Sequence, residues 1–209
     1  MLTRRDFMQT AVAAGAVATA MPALAANAEI ALPRTQVRTA IFDSRNPITA
    51  GFGANASVEG TAAHGVAGDI TSLWRTTLAP AWKAKPEAVM GMTEHGPLFI
   101  LERMGWNHDM RATFRGQHSA DANGALRHEL QGPAELVDAL AARLPQAGSD
   151  FGPVLAEVLQ ALPLGGGAKK HLVVTVAAKA DFAEPLYSYV LAPRCDCAGL
   201  TPYSHNHSA

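Results

Sequence analysis

The chain has 209 residues, with 17 Lys and Arg against 18 Asp and Glu, a formal net charge of −1, 48% apolar residues and a mean hydropathy of +0.05. Near neutrality removes the electrostatic case for nucleic acid or an acidic membrane surface, since both need a basic stripe. Two cysteines cannot build a disulfide framework, so the fold has to rest on apolar burial.

In chain order, Thr3-Arg4-Arg5-Asp6-Phe7-Met8 comes first. An Ala-rich, weakly apolar run from Thr10 to Ala20 follows, interrupted by Gly15, and then Met21-Pro22-Ala23-Leu24-Ala25. A charged start, a short apolar middle and a small-x-small end make a three-part signal peptide. The segment resembles a twin-arginine (Tat) leader, because Arg4 and Arg5 precede Phe7 and the apolar stretch is rich in Ala rather than Leu; Met8 and Gln9 stand where that pattern usually has Leu and Lys. The resemblance covers residues 1–25 only. It implies engagement of the Tat translocase, export in the folded state to the periplasm and cleavage after Ala25. No apolar run reaches the length of about 20 residues that a transmembrane anchor requires. The expected organisation is therefore a leader at 1–25, one α/β domain over 26–194 and a Cys/His-containing tail over 195–209.

Gln36 to Phe42 is β-rich and ends at Asp43-Ser44-Arg45-Asn46-Pro47, where Asn46 caps a helix that opens on Pro47, weakened by Gly51 and Gly53 and closed by Gly60. His64 to Gly68 reads as a short strand leading to Asp69, an N-cap for a helix carrying Ile70, Leu73, Trp74 and Leu78 and ending near Pro80. Glu87 to Met92 predicts a third strand. Leu98, Phe99, Leu101, Glu102 and Met104 predict a helix behind Pro97. Met110 to Arg115 predicts a fourth strand, ending at Gly116-Gln117-His118.

Beyond these, Leu126 to Leu130 predicts a short edge strand, and Pro133 opens an amphipathic helix through Leu136, Leu140 and Leu144. A further helix is expected from Phe151 to Leu162, then strands at His171 to Ala178 and Leu186 to Leu191, close enough to form an antiparallel pair. Repeated strand-then-helix units predict a three-layer α/β fold: a mostly parallel sheet of about five to six strands, helices on both faces and a C-terminal antiparallel pair.

In such sheets ligands bind beyond the carboxyl ends of the strands, where successive loops converge. Candidate ligand-binding residues at that edge are Asp43, Ser44 and Arg45 after the first strand, Asp69 after the second, Thr93, Glu94 and His95 after the third, and His118 beside Gln117 after the fourth. A carboxylate, a guanidinium, imidazoles and hydroxyls in one crevice suit an anionic or polar small molecule, or acid/base work. The same residue types also cap helices and close turns. Ser44 is a nucleophile only if His95 or His118 comes within hydrogen-bond reach.

No nucleotide-binding motif is present, because Asp43-Ser44-Arg45 occupies the turn where a Gly-x-Gly-x-x-Gly fingerprint belongs. No Walker loop and no Cys-x-x-Cys-His haem attachment site occurs. In the tail, Cys195, Cys197, His205 and His207 form two i, i+2 pairs whose donors suit Zn or Cu, although their spacing matches no standard zinc module. Three functions follow from these features. The first is an accessory or partner subunit of a larger exported redox enzyme. The second is a periplasmic small-molecule binder or enzyme using the carboxyl-edge crevice, and the third is a metal-binding protein acting through the tail.

Overall fold

The computed structural model describes residues 37–161, 167–179 and 182–194, and these form an α/β fold in which helices cover both faces of one sheet. β1 (Thr39–Asp43) buries Ala40 and Ile41 completely, toward opposite faces. Asn46 Oδ1 then accepts from the amides of Ile48 at 2.9 Å and Thr49 at 3.4 Å, and Pro47 supplies the first helical residue of α1 (Pro47–Val58). The helix runs through both glycines that were expected to interrupt it. A Cβ on Gly53 would lie 2.3 Å from the Phe42 ring, and one on Gly51 would lie 3.4 Å from Pro153. Gly53 therefore serves close packing against Phe42, whereas at Gly51 a Cβ would make only ordinary contact.

β2 (Ala62–Val66) lies parallel to β1 and includes His64, opposite Ile41. The expected single helix ending near Pro80 is corrected. The run consists of α2 (Thr71–Leu73), a π-turn (Trp74–Leu78) and α3 (Ala79–Ala84), with Trp82 buried near its end. Proline has no N–H to continue an α ladder, and the chain passes it with a wider turn in which the Ala79 amide donates to the Trp74 carbonyl. β3 (Val89–Thr93) is buried along its whole length and leads into α4 (His95–Trp106).

β4 (Met110–Ala120) and β5 (Ala125–Pro133) are longer than expected, and β5 is an internal strand rather than an edge. Their hairpin is set by the turn between them. Asp121 Oδ1 accepts from the amides of Asn123 and Ala125, both at 2.8 Å, and Gly124 adopts φ +78°. α5 (Ala134–Ala147) and α6 (Gly152–Ala161) follow, then β6 (Lys169–Lys179) and β7 (Leu186–Pro193).

The sheet has seven strands in the order β2-β1-β3-β7-β4-β5-β6. Parallel pairing joins β1 to β2 and β3, and every other pairing is antiparallel. The last two strands do not pair with each other, contrary to the expectation. β7 inserts between β3 and β4, while β6 flanks β5 at the sheet edge. The burial patterns explain this. Six of the eight β7 residues are buried, as a strand covered on both faces requires, whereas β6 alternates exposed positions with part-buried ones and buries only Val176.

One apolar core lies between the sheet and α1, α5 and α6, and contains Phe52, Phe114, Leu140, Phe151 and Leu159. The second lies under α3 and α4, and contains Ile41, Trp82, Leu101 and Tyr189. Among the described residues no helix is long and apolar enough to cross a membrane.

Candidate functional site

The carboxyl ends of the three parallel strands meet around one guanidinium. Asp43, the last residue of β1, is 1% exposed, and its carboxylate receives three hydrogen bonds from Arg45. The Arg45 amide donates to Oδ1 at 3.0 Å, Nε donates to Oδ1 at 2.9 Å, and Nη2 donates to Oδ2 at 2.5 Å. This is a bidentate fork, the strongest form of carboxylate pairing. It holds the Asp43 carboxyl below its ordinary pKa against the opposing effect of burial, and it raises that of Arg45. Immediately after β3, Glu94 places Oε2 at 2.9 Å from the same Nη2. From the turn after β2, Gly68 (φ +84°) passes so close that a Cβ there would meet Nη2 at 3.0 Å and Cζ at 3.1 Å. Glycine at 68 thus allows both the left-handed turn and the flat approach of the guanidinium.

The neighbouring polar groups fix the backbone around this fork. The Ser44 hydroxyl donates to the Val66 carbonyl at 3.2 Å and ties β1 to β2. The Thr49 hydroxyl, fully buried in the first turn of α1, donates to the carbonyls of Asp43 and Asn46. Thr93 is fully buried as well and donates to the Glu94 carbonyl at 2.9 Å. Asp69 accepts from the Thr71 amide at 2.8 Å, and the Thr71 side chain together with that amide lowers its pKa, which leaves it a turn residue.

Among the residues proposed for this edge, the structure brings Asp43, Arg45 and Glu94 into direct contact, with Thr93 beside them in the chain. His95 begins α4 and directs its ring along the helix, stacking on Phe99 with centroids 6.1 Å apart and meeting Tyr187 edge-on at 5.3 Å. Among the described residues no imidazole hydrogen-bonds to the Ser44 hydroxyl, so its use as a nucleophile has no structural basis.

His118 belongs elsewhere, and its proposed place in the crevice is corrected. It lies within β4 rather than after it, and its side chain enters the opposite core. A β-bulge between Ala112 and Phe114 is the cause. Met110 and Ala112 face the α4 side, and one extra residue turns Phe114 and every second residue after it to the α6 side.

There His118 forms a chain that sequence reasoning missed. His118 Nδ1 lies 2.7 Å from Nδ1 of His128, directly opposite on β5, and His118 Nε2 lies 2.8 Å from Ser188 Oγ on β7. All three residues are fully buried, and the Phe151 ring packs on both imidazoles at 4.8 and 4.7 Å. Gly116 makes the room, since a Cβ there would lie 2.4 Å from Ser188 Oγ. Burial lowers the pKa of His128 to about 4. Burial together with the neighbouring imidazole lowers that of His118 well below its ordinary value. Both rings are therefore neutral near pH 7. The available signal was the Asp121 to Gly124 turn, which sets residues 118 and 128 at matching distances from a hairpin tip.

The remaining candidates fall outside the described residues: Arg4, Arg5 and the cleavage position after Ala25, and Cys195, Cys197, His205 and His207 in the tail. Among the described residues no group of three or more His, Cys, Asp or Glu side chains is arranged to hold a metal. A cavity of about 540 Å³ opens at the opposite, amino-terminal edge of the parallel strands, lined by Arg38, Glu59, Thr61, Glu157 and Gln160. It lies away from the strand ends where the loops converge. Comparison with protein-family models, curated proteins and solved structures finds no match to this chain.

Proposed function

We propose that this chain is a Tat-exported periplasmic binding protein that takes a small polar molecule at the carboxyl ends of β1, β2 and β3. One observation carries the reading: loops from three strands converge on the Arg45 guanidinium, which a buried Asp43 aims toward solvent. Open α/β sheets gather ligands at this edge because successive loops meet there on a rigid scaffold. A guanidinium already fixed by a buried carboxylate loses little conformational freedom when a ligand arrives. The export route rests on the leader.

The test is a thermal-shift and native mass-spectrometry screen of small polar molecules against the mature protein and its Arg45→Gln variant. At least one compound is expected to raise the melting temperature of the wild type and leave the variant unmoved. Equal shifts in both proteins would overturn the assignment of Arg45.

A second reading, a partner subunit of a larger exported redox enzyme, is favoured by the outer face of α4. Phe99 and Trp106 are 47% and 52% exposed, and Arg103 lies over both rings at 5.3 and 4.6 Å, giving one continuous aromatic ridge. On this reading the protein co-purifies with a larger exported protein from its native host, and the Phe99→Ser, Trp106→Ser double variant does not. Retention of the same partner by the double variant would remove the ridge from consideration.

A further inference from the structure

Arginine offers two bidentate edges to oxyanions, one through Nε and Nη2 and one through Nη1 and Nη2. In Arg45 the first edge is filled by Asp43, with Nε to Oδ1 at 2.9 Å and Nη2 to Oδ2 at 2.5 Å. The second edge is only half used. Glu94 touches it through Nη2 alone, at 2.9 Å, and Nη1 makes no hydrogen bond among the described residues. The two carboxylates also differ in environment, since the side chain of Asp43 is 1% exposed and that of Glu94 is 43% exposed. One is a fixed part of the scaffold, and the other is a solvent-accessible group in single-atom contact.

We infer that the ligand of this site is a small oxyanion, that it binds bidentately across Nη1 and Nη2 of Arg45, and that Glu94 is a built-in competitor which it displaces. The inference rests on the reading of the carboxyl edge as a binding site, and it adds the chemical class of the ligand and the residue that tunes affinity. An exposed pair such as Arg45 with Glu94 contributes little, so a bidentate anion can replace it. Asp43 is not displaceable in the same way, because removing the guanidinium from it would leave a buried carboxylate unpaired. After exchange Glu94 stays ionised close by, so the site gains the negative charge of the anion and the displaced carboxylate repels it. Glu94 therefore holds the affinity down, and the empty site keeps its guanidinium in place.

Acetate, inorganic phosphate and sulfate represent the chemistry shared by carboxylate, phosphate and sulfate-type ligands. Each is titrated at constant ionic strength into the wild-type protein, Glu94→Gln and Arg45→Gln, following amide shifts at Asp43 to Asn46, Gly68 and Thr93 to Gly96 together with the Arg45 Nε–H signal. In wild type at least one anion is expected to bind and move these signals. Glu94→Gln removes the competing charge and is expected to bind the same anion up to about fivefold more tightly. Arg45→Gln is expected to lose binding altogether. The order of the three anions identifies the source.

Equal affinity in wild type and Glu94→Gln would overturn the competitor role, and binding that survives in Arg45→Gln would overturn the site. If none of the three anions binds, the oxyanion class is wrong. In that event an Arg45-dependent thermal shift by an uncharged compound would leave the binding-protein reading standing, and the absence of any such shift would remove that too.

Discussion

Acidification from pH 6.5 toward pH 4 is expected to destabilise this protein through His118 and His128, whereas stability is expected to be flat, for these groups, above pH 6.5. In the unfolded chain both imidazoles titrate near pH 6.5. In the folded chain burial holds His128 at about pH 4, and burial with the adjacent imidazole holds His118 well below its ordinary value. Between these limits the unfolded state binds more protons than the folded state, so stability rises with pH across the window and is fully present above it. Each proton contributes about 1.4 kcal/mol per pH unit, so His128 gives a loss of about 2 kcal/mol between pH 7 and pH 5, and His118 adds to it in the same direction.

Burial acts on both rings, and His128 adds a smaller electrostatic effect on His118. Their contacts are Phe151 from the start of α6, Ser188 from β7 and each other. Carboxylates held below their ordinary pKa, such as Asp43 and Glu129, act in the same direction but at lower pH. Their stabilisation is present above the unfolded carboxylate range and is lost as pH falls through their depressed folded values, so it leaves the upper part of the window clear.

The measurement is urea unfolding at pH 7 and pH 5 for the wild type and for a His118→Leu, His128→Leu, Ser188→Ala variant. The variant is expected to lose far less stability on acidification. It also removes a buried nitrogen, His128 Nε2, that has no hydrogen-bond partner among the described residues. An apolar replacement of the whole chain is therefore expected to be close to neutral at pH 7. The same drop with pH in both proteins would show that the pair is not the acid-sensitive element.

The second large effect is expected from a single methyl group. Gly152→Ala places a Cβ 2.0 Å from the Ile48 carbonyl oxygen, 3.1 Å from its carbon and 3.1 Å from the Phe52 nitrogen. All three atoms are backbone of α1, so no side-chain rotation relieves the contact and the two helices have to part. Phe151, Leu155 and Leu159 would be drawn from a core in which each is fully buried. Overpacking of a rigid contact costs typically about 1–3 kcal/mol, and an obstruction by backbone on a helix–helix seam belongs at or above the top of that range. Gly96→Ala is the control. Gly96 lies in the first turn of α4 with open space around its Cβ position, and the change there is expected to be neutral or stabilising by about 0.4–1 kcal/mol. Denaturant midpoints decide the matter, and a Gly152→Ala protein as stable as Gly96→Ala would contradict the packing argument.

Much of the fold was legible locally. Asn46 with Pro47 announced α1, Pro97 with its apolar stripe announced α4, and the apolar runs named β1, β3, β6 and β7 to within a few residues. These signals depend on a residue and its near neighbours, through capping, missing N–H groups and side-chain periodicity. The order of the strands was not carried in the same way. The run around His171 to Ala178 has the stronger β composition yet lies at the edge, and Leu186 to Pro193 lies at the centre. What distinguishes them is how many faces each buries, and that depends on which helices cover the sheet.

The site divides along the same line. That Asp43, Arg45 and Glu94 stand at strand ends follows from the sequence, because polar residues close apolar runs there. That they share one guanidinium depends on parallel pairing of β1 with β2 and β3, which brings loops distant in the chain to one point. His118 marks the limit of local reading. Strand alternation from Met110 would have put it on the α4 face, but one bulged residue near Thr113 reverses the face of everything after it and encloses His118 with His128 and Ser188 in the opposite core. Residue type and position came from the chain alone, and the face on which the chemistry sits came from strand pairing, because a period of two changes sign with a single inserted residue.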